Sequence, residues 1–252
     1  MSLPYTLAPQ IGTAGRLGLI VLQSDETMEA EFRQVLPEAD IAAFVSRIPS
    51  AAEVSNDSLA AMEAELPRAA GLLPKSVDFD VVGYGCTSAS SVIGPARVAE
   101  LVKTGCRTTA VTNPVSALVA ACGALGVNKL ALLTPYTEAV SESLRSELLR
   151  NGIETPVFAT FNEPVETHVA RIDPTSVRDA AVGLGKDKGA EAVFMSCTNL
   201  RTLSILGEVE AACNKPALSS NQAFFWHMFA QAGIRPARAD GLLWDLKIKK
   251  EP

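Results

Sequence analysis

Histidine is nearly absent from this chain: His168 and His227 are the only two in 252 residues. Chemistry built on an imidazole base, or on clustered imidazole ligands, has little to draw on, and both histidines read as structural or exposed. Positive charge is also scarce. Lysine and arginine total 22 against 28 acidic residues, for a net charge of −6. The one concentration of lysine, Lys247, Lys249 and Lys250, reads as a solvated end, so no nucleic-acid partner is expected. The negative total leaves an anionic substrate open, because helix termini supply local positive potential. No apolar run reaches about 18 residues, which speaks against a membrane helix. Residues 1–10 lack the basic head and apolar stretch of a signal peptide, so a cytoplasmic location is expected.

Several motifs are missing as well. The five cysteines, Cys86, Cys106, Cys122, Cys197 and Cys213, are odd in number and show no C-x-x-C spacing, so neither a zinc site nor a disulfide framework is expected. Cys106, Cys122 and Cys213 read as small buried hydrophobes. Gly83-Tyr84-Gly85-Cys86-Thr87-Ser88 has serine where a dinucleotide fingerprint needs its third glycine, and no Gly-Lys-Ser/Thr follows. The nucleophile-elbow pattern G-x-S-x-G is absent too. No cofactor and no metal are expected.

What is present is a foldable, repetitive α/β chain. Hydrophobic residues make up 48% of it, enough for a substantial core. Short apolar runs predict strands at 16–22, 41–45, 79–84, 107–112, 129–134, 157–161, 192–195 and 216–219. Longer amphipathic stretches predict helices at 26–36, 55–73, 91–103, 115–125, 137–151, 174–186, 200–212 and 222–232. Strands alternating with helices imply parallel sheets flanked by helices.

The alternation is duplicated. Residues Leu19 to Glu26 resemble Leu130 to Thr137, and Val81 to Thr87 resemble Ala192 to Thr198, both at an offset of 111 (136 − 25 and 197 − 86). A looser match relates Ala110 to Pro114 with Ala217 to Asn221. The chain therefore predicts an α/β fold of two pseudo-symmetric halves, each a mainly parallel sheet, with the site in the cleft between them. The first half is 16–125 plus about 219–252 and carries Cys86. The second, 126–218, carries Cys197.

In each half a strand ends in Cys-Thr and enters a helix. Ligands of open parallel sheets bind beyond the strands' carboxyl ends. A cysteine at a helix N-terminus there is expected to have a lowered pKa and to react as the thiolate. The hydroxyls of Thr87 and Ser88, with Thr198 and Asn199 opposite, suit a carboxylate. Two thiols flanking one carbon suit proton removal on one face and return on the other, or addition of one thiolate to an alkene with the other as acid.

Gly85-Cys86-Thr87-Ser88, Ser196-Cys197-Thr198-Asn199, Thr134-Pro135-Tyr136 and Ser24-Asp25-Glu26-Thr27-Met28-Glu29 resemble the aspartate/glutamate racemase superfamily, in the branch of maleate cis-trans isomerases and arylmalonate decarboxylases. The resemblance spans roughly residues 15 to 235. It implies no cofactor, Cys86 as nucleophile or base, Cys197 as the opposing acid or base, and Thr87, Ser88, Tyr136 and Thr198 around a carboxylate. Arylmalonate decarboxylases have glycine at the first cysteine position, so Cys86 points to an isomerase or racemase, with a decarboxylase as the alternative. Maleate isomerases carry asparagine where this chain has Asp25. An aspartate there suits an ammonium or amidine group, unless it serves only as a helix cap. The Gln23 to Thr27 wording also resembles an ectoine-utilisation subgroup, whose substrates are nitrogen-bearing acids. The expected partner is a small carboxylate substrate, with a homo-oligomer left open. A small-acid binding module without catalysis is the alternative from another class. Arg171 and Arg201 read as solvated.

Overall fold

The computed structural model describes residues 1–237 and 240–246. The lysine cluster Lys247, Lys249 and Lys250 lies outside the described residues. The first part of the chain runs β1 (Gly15–Leu22), α1 (Met28–Val35), β2 (Ile41–Ile48), α2 (Asn56–Ala70), β3 (Phe79–Gly85), α3 (Thr87–Ile93), α4 (Pro95–Gly105), β4 (Thr108–Thr112) and α5 (Pro114–Leu125). The remainder runs β5 (Lys129–Thr134), α6 (Glu138–Arg150), β6 (Glu154–Thr160), α7 (Glu166–Val169), α8 (Pro174–Gly185), β7 (Ala192–Met195), α9 (Leu206–Cys213), β8 (Ala217–Ser219) and α10 (Ser220–Ala232), then a 3₁₀ turn at Leu242–Asp245.

The strands form two four-stranded sheets, ordered β2-β1-β3-β4 and β6-β5-β7-β8, with every pairing parallel. The two orders are the same once the second set is renumbered, as a duplication requires. Strand β1 shows why the sheets sit between layers. Leu17, Leu19 and Val21 enter one core layer with α1 and α5, while Ile20 and Leu22 enter the other with α2. A parallel strand covered on both faces is apolar on both. Ladder register corrects one detail of the repeat. Leu17 faces Val81 and Leu130 faces Ala192, so holding Cys86 on Cys197 gives the first strands an offset of 113 (130 − 17). The 111 offset holds for the cysteine strands, and Asp25 is not register-equivalent to Tyr136.

Helix α10 follows the second sheet but packs against α5, β3 and α1 of the first. Phe32 meets Phe225 and Phe229 at ring-centroid distances of 5.1 and 5.8 Å. Gly83 makes the close approach feasible: a Cβ there would stand 2.4 Å from Phe224 Cζ.

Two expected helices differ. The stretch 91–103 is two helices, broken where Gly94 takes φ +92° and Pro95 starts the next. Glycine tolerates that backbone, and proline suits a helix start. The stretch 200–212 is helical only from Leu206; before it, the N–H groups of Thr202 and Leu203 donate to Glu31 Oε1 at 2.6 and 3.0 Å. Among the described residues no helix is long and apolar enough to cross a membrane.

Candidate active site

Because both sheets are parallel, the loops after β1 and β3 and those after β5 and β7 each leave a carboxyl edge. They meet in one cavity lined by Leu22, Asp25, Cys86, Thr87, Ser88, Tyr136, Glu166, Cys197, Thr198 and Asn199. All eight site residues read from the sequence are on that wall. Arg171 and Arg201 are exposed and not on it. The free space is about 10 Å³, close to what one water molecule needs.

The two cysteines reach the cavity by different local routes. Cys86 is the N-cap of α3, and its Sγ accepts the Ala89 N–H at 3.3 Å. Cys197 ends the run from β7 with φ +126°, a region that side-chain-bearing residues rarely adopt. Holding a non-glycine residue there costs roughly 1–3 kcal/mol. Its backbone N–H donates to Ser220 Oγ at 3.0 Å, and its Sγ accepts the Asn199 N–H at 3.3 Å. Ser220 also accepts the Thr87 hydroxyl at 2.8 Å, so one buried serine ties the second cysteine to the first cysteine's motif. The looser repeat match contained Ser220 without marking it as a site residue.

The expectation of lowered thiol pKa values fails. Burial pushes Cys86 up to about 12, and it pushes Cys197 well above its ordinary value. The nearby carboxylates of Glu166 and Asp25 raise both further. Hydrogen bonds of Cys86 with the Ala89 and Ser88 N–H groups, and of Cys197 with the Tyr136 hydroxyl and the Asn199 N–H, pull the other way without winning. A helix N-terminus lowers a thiol pKa where water still reaches it; these thiols are 5% and 3% exposed.

Asp25 both holds the start of α1 and lines the wall. Its Oδ1 accepts the N–H groups of Thr27 and Met28 at 2.9 and 2.7 Å, while its buried Oδ2 has no hydrogen-bond partner among the described residues. Burial raises its carboxyl to about 6, with Glu166 adding to the rise and Arg47 and the two N–H bonds opposing it. Arg47 lies under the same loop, donating to the carbonyls of Leu22, Gln23 and Asp25.

Glu166 is the cavity carboxylate that sequence reasoning missed. It opens the short helix α7, and its segment is held against the other half by Val54 N–H to Pro164 O and Glu166 N–H to Ala52 O, at 3.0 and 3.1 Å. Tyr136 OH donates to Glu166 Oε1 at 2.6 Å, Asn199 Nδ2 donates to Oε2 at 3.0 Å, and Tyr136 OH lies 3.0 Å from Cys197 Sγ. Asn199 also crosses the cleft: its Oδ1 accepts the Glu26 N–H at 2.9 Å and its carbonyl accepts the Thr27 hydroxyl at 2.9 Å. The histidines stay apart from the cavity. His168 is exposed beside Glu163, and His227 Nδ1 lies 2.7 Å from Thr112 Oγ1.

A third buried carboxylate, Glu31, clasps the halves. Besides the Thr202 and Leu203 N–H groups, Glu31 accepts Asn221 Nδ2 at 2.7 Å. Burial still pushes its carboxyl from 4.5 up to about 7. Between those values the native state keeps a proton that the unfolded chain has released, so this group's stability contribution is lost as pH rises toward 7 and above. Glu31→Gln is expected to shrink the fall in urea midpoint between pH 5 and pH 8, by up to about 3 kcal/mol of unfolding free energy. A variant with the wild-type fall would show that Glu31 does not titrate in this range.

Two parallel sheets of like strand order, each contributing a thiol to one shared cavity, define the class: a two-sheet α/β protein with a paired-thiol cleft. The sequence model of the arylmalonate decarboxylase family matches residues 17–243, and the chain belongs to that family. It is 26% identical to a maleate isomerase of Pseudomonas putida over 234 residues, 88% of this chain and 93% of the relative. It is 28% identical to an arylmalonate decarboxylase of Bordetella bronchiseptica over 123 residues, 48% of this chain and 51% of that one. In structure it is similar to a Nocardia farcinica maleate cis-trans isomerase mutant with a covalently bound succinylcysteine intermediate. That match has a TM-score of 0.82 and 26% identity, covering 91% of this chain and 98% of the other.

Proposed function

We propose that this protein is a cofactor-independent isomerase or racemase that uses Cys86 and Cys197 on opposite faces of one carbon of a small, nitrogen-bearing carboxylic acid. The observation that carries the reading is that both cysteines, equivalent in the repeat, line a single cavity. The domain division at about residues 125 and 219 goes with it, one thiol per half. Thr87, Ser88, Thr198 and Asn199 hold the substrate carboxylate, with Tyr136 beside the second thiol. One thiolate removes the proton next to the carboxylate, or adds to an adjacent double bond. The opposing thiol delivers a proton to the other face. The nitrogen is assigned from Asp25, whose Oδ2 lacks a donor in a cavity with no lysine, arginine or histidine on its wall.

A decarboxylase is the second reading, favoured by the family the chain belongs to. In that chemistry a single thiol protonates the carbanion left by CO₂, so Cys86 has no task, and this is why isomerisation is preferred. The test is a panel of small mono- and dicarboxylates, with and without an α-nitrogen, incubated with the protein in deuterated water. Deuterium at the carbon next to the carboxylate, or cis-trans conversion, with the carbon count unchanged supports the proposal. Loss of CO₂ selects the decarboxylase, and binding with no exchange or conversion selects a small-acid binding module.

A further inference from the structure

The high pKa of both thiols leaves a problem that the two-thiol reading does not solve. A buried thiolate has to form beside carboxylates that oppose it. Expelling a thiol proton to water would leave Cys197 negative next to Glu166 and Asp25, three negative charges in a space that admits about one water molecule. The hydrogen bonds around Tyr136 offer another route.

The Tyr136 hydroxyl has one proton and two neighbours, Glu166 Oε1 at 2.6 Å and Cys197 Sγ at 3.0 Å. An ionised carboxylate only accepts, so the tyrosine proton goes to Glu166. The thiol must then donate its own proton to the tyrosine oxygen. The three groups are thus ordered as thiol to hydroxyl to carboxylate, a chain along which protons can shift in one direction. Asn199 fixes both ends, donating its Nδ2 to Glu166 Oε2 and its backbone N–H to the same sulfur.

We propose that Glu166 is the proton acceptor for Cys197, reached through the Tyr136 hydroxyl. The step rests on the two-thiol reading and balances without any other reactant. The S–H bond of Cys197 breaks and its proton passes to the tyrosine oxygen. The tyrosine O–H bond breaks in concert and its proton passes to Glu166 Oε1. Cys197 becomes a thiolate, Tyr136 stays a neutral phenol that now donates to the sulfur, and Glu166 becomes a neutral acid. One negative charge moves from oxygen to sulfur and none is created, so Coulomb repulsion within the cavity does not grow. Glu166 and Tyr136 are positioning residues here, acting through Cys197. The other titratable groups facing Glu166 are Asp25 from the loop after β1 and Cys86 from the start of α3, both of which keep their protonation state through the step.

The relay and a plain field effect predict opposite signs. Removing a negative charge beside two thiols should make both ionise more readily. Removing the acceptor of a relay should make Cys197 alone less reactive. The experiment is alkylation of the intact protein with iodoacetamide at pH 7.5, with the rate at each cysteine read by peptide mass spectrometry. In wild type, Cys197 is expected to label faster than half-buried Cys106. In Glu166→Gln the Cys197 rate is expected to fall about 10-fold or more, while the Cys86 rate does not fall, which shows that the cavity still admits the reagent. Tyr136→Phe keeps the carboxylate and cuts the path. It should slow Cys197 to a similar extent, and the double variant should be no slower than the slower single one, as expected of groups acting as one unit. Tyr136→Phe decides the matter alone if Glu166→Gln does not fold. Fast wild-type labelling of Cys197 that is unchanged or faster in Glu166→Gln overturns the relay and leaves the two-thiol reading standing. Wild-type Cys197 that labels no faster than Cys106 overturns both.

Discussion

Replacing either Cys86 or Cys197 with serine is expected to lower turnover about 10³-fold or more, and replacing both is expected to cost little beyond the worse single variant. The basis is the division of labour across the cavity. If one thiol removes or adds on one face and the other returns a proton on the opposite face, neither step completes the reaction alone. Serine keeps the shape of each site but ionises far less readily than cysteine at neutral pH, so the fault is chemical and not a matter of packing. Residues that act as a unit give such non-additive losses. The two positions should differ in one respect. Cys197 holds its sulfur on a backbone with φ +126°, fixed by Ser220, so glycine at this position relieves strain while removing the thiol. Cys197→Gly is expected to be inactive and no less stable than Cys197→Ser, a combination that a urea titration and a turnover assay read together. Wild-type turnover in either single serine variant would end the two-thiol mechanism.

The second large effect concerns which acid is accepted. Wild type is expected to turn over maleate weakly and to prefer an acid carrying a nitrogen, and Asp25→Asn is expected to narrow that gap. A substrate carboxylate about 4 Å from Asp25 meets roughly 1 to 4 kcal/mol of repulsion at effective dielectrics of about 80 to 20, or about 5- to 1000-fold in the ratio of kcat/KM values. A cationic nitrogen at the same point gains a similar amount. Burial sets the Asp25 carboxyl at about 6, so the charge that discriminates is present above that pH and lost below it. The preference should therefore grow between pH 5 and pH 8 in wild type and stay flat over that range in Asp25→Asn, after normalising for the ionisation of the free substrates. Maleate turnover at ordinary enzyme rates, unchanged by the substitution, would show that Asp25 acts only through its Oδ1, on the N–H groups that open α1.

Much of this architecture is written in local patterns. Eight apolar runs read as strands are strands; the central strands β1, β3, β5 and β7 are covered on both faces and so are apolar along nearly their whole length. The paired Cys-Thr motifs were legible because a duplicated fold carries its loops to corresponding places. What escaped is what the other half imposes. The stretch before α9 has helical periodicity, yet it stays irregular, and its Thr202 and Leu203 N–H groups go to Glu31, 171 and 172 residues away. Glu166 follows an acidic, proline-containing loop with no motif to mark it, and contacts from Val54, Ala52, Tyr136 and Asn199 hold it inward. The thiol pKa values failed for the same reason. A helix start is visible in sequence, but the depth at which it is buried is a property of the whole assembly.

The narrowness of the cavity has a kinetic consequence. Even the smallest substituted carboxylic acid is several times the size of a water molecule, so substrate is admitted only when the cleft parts. The contacts that span it, Glu26 and Thr27 to Asn199 and Glu31 to the loop before α9, fall on few residues. On the proposed reading, opening of the cleft gates both uptake and release. On the two-thiol reading, a shut cleft keeps bulk water from the carbanion, so that the facing thiol supplies its proton. Stereochemical fidelity is in this sense a ratio of two clocks, the dwell time of the shut cleft and the lifetime of the intermediate within it.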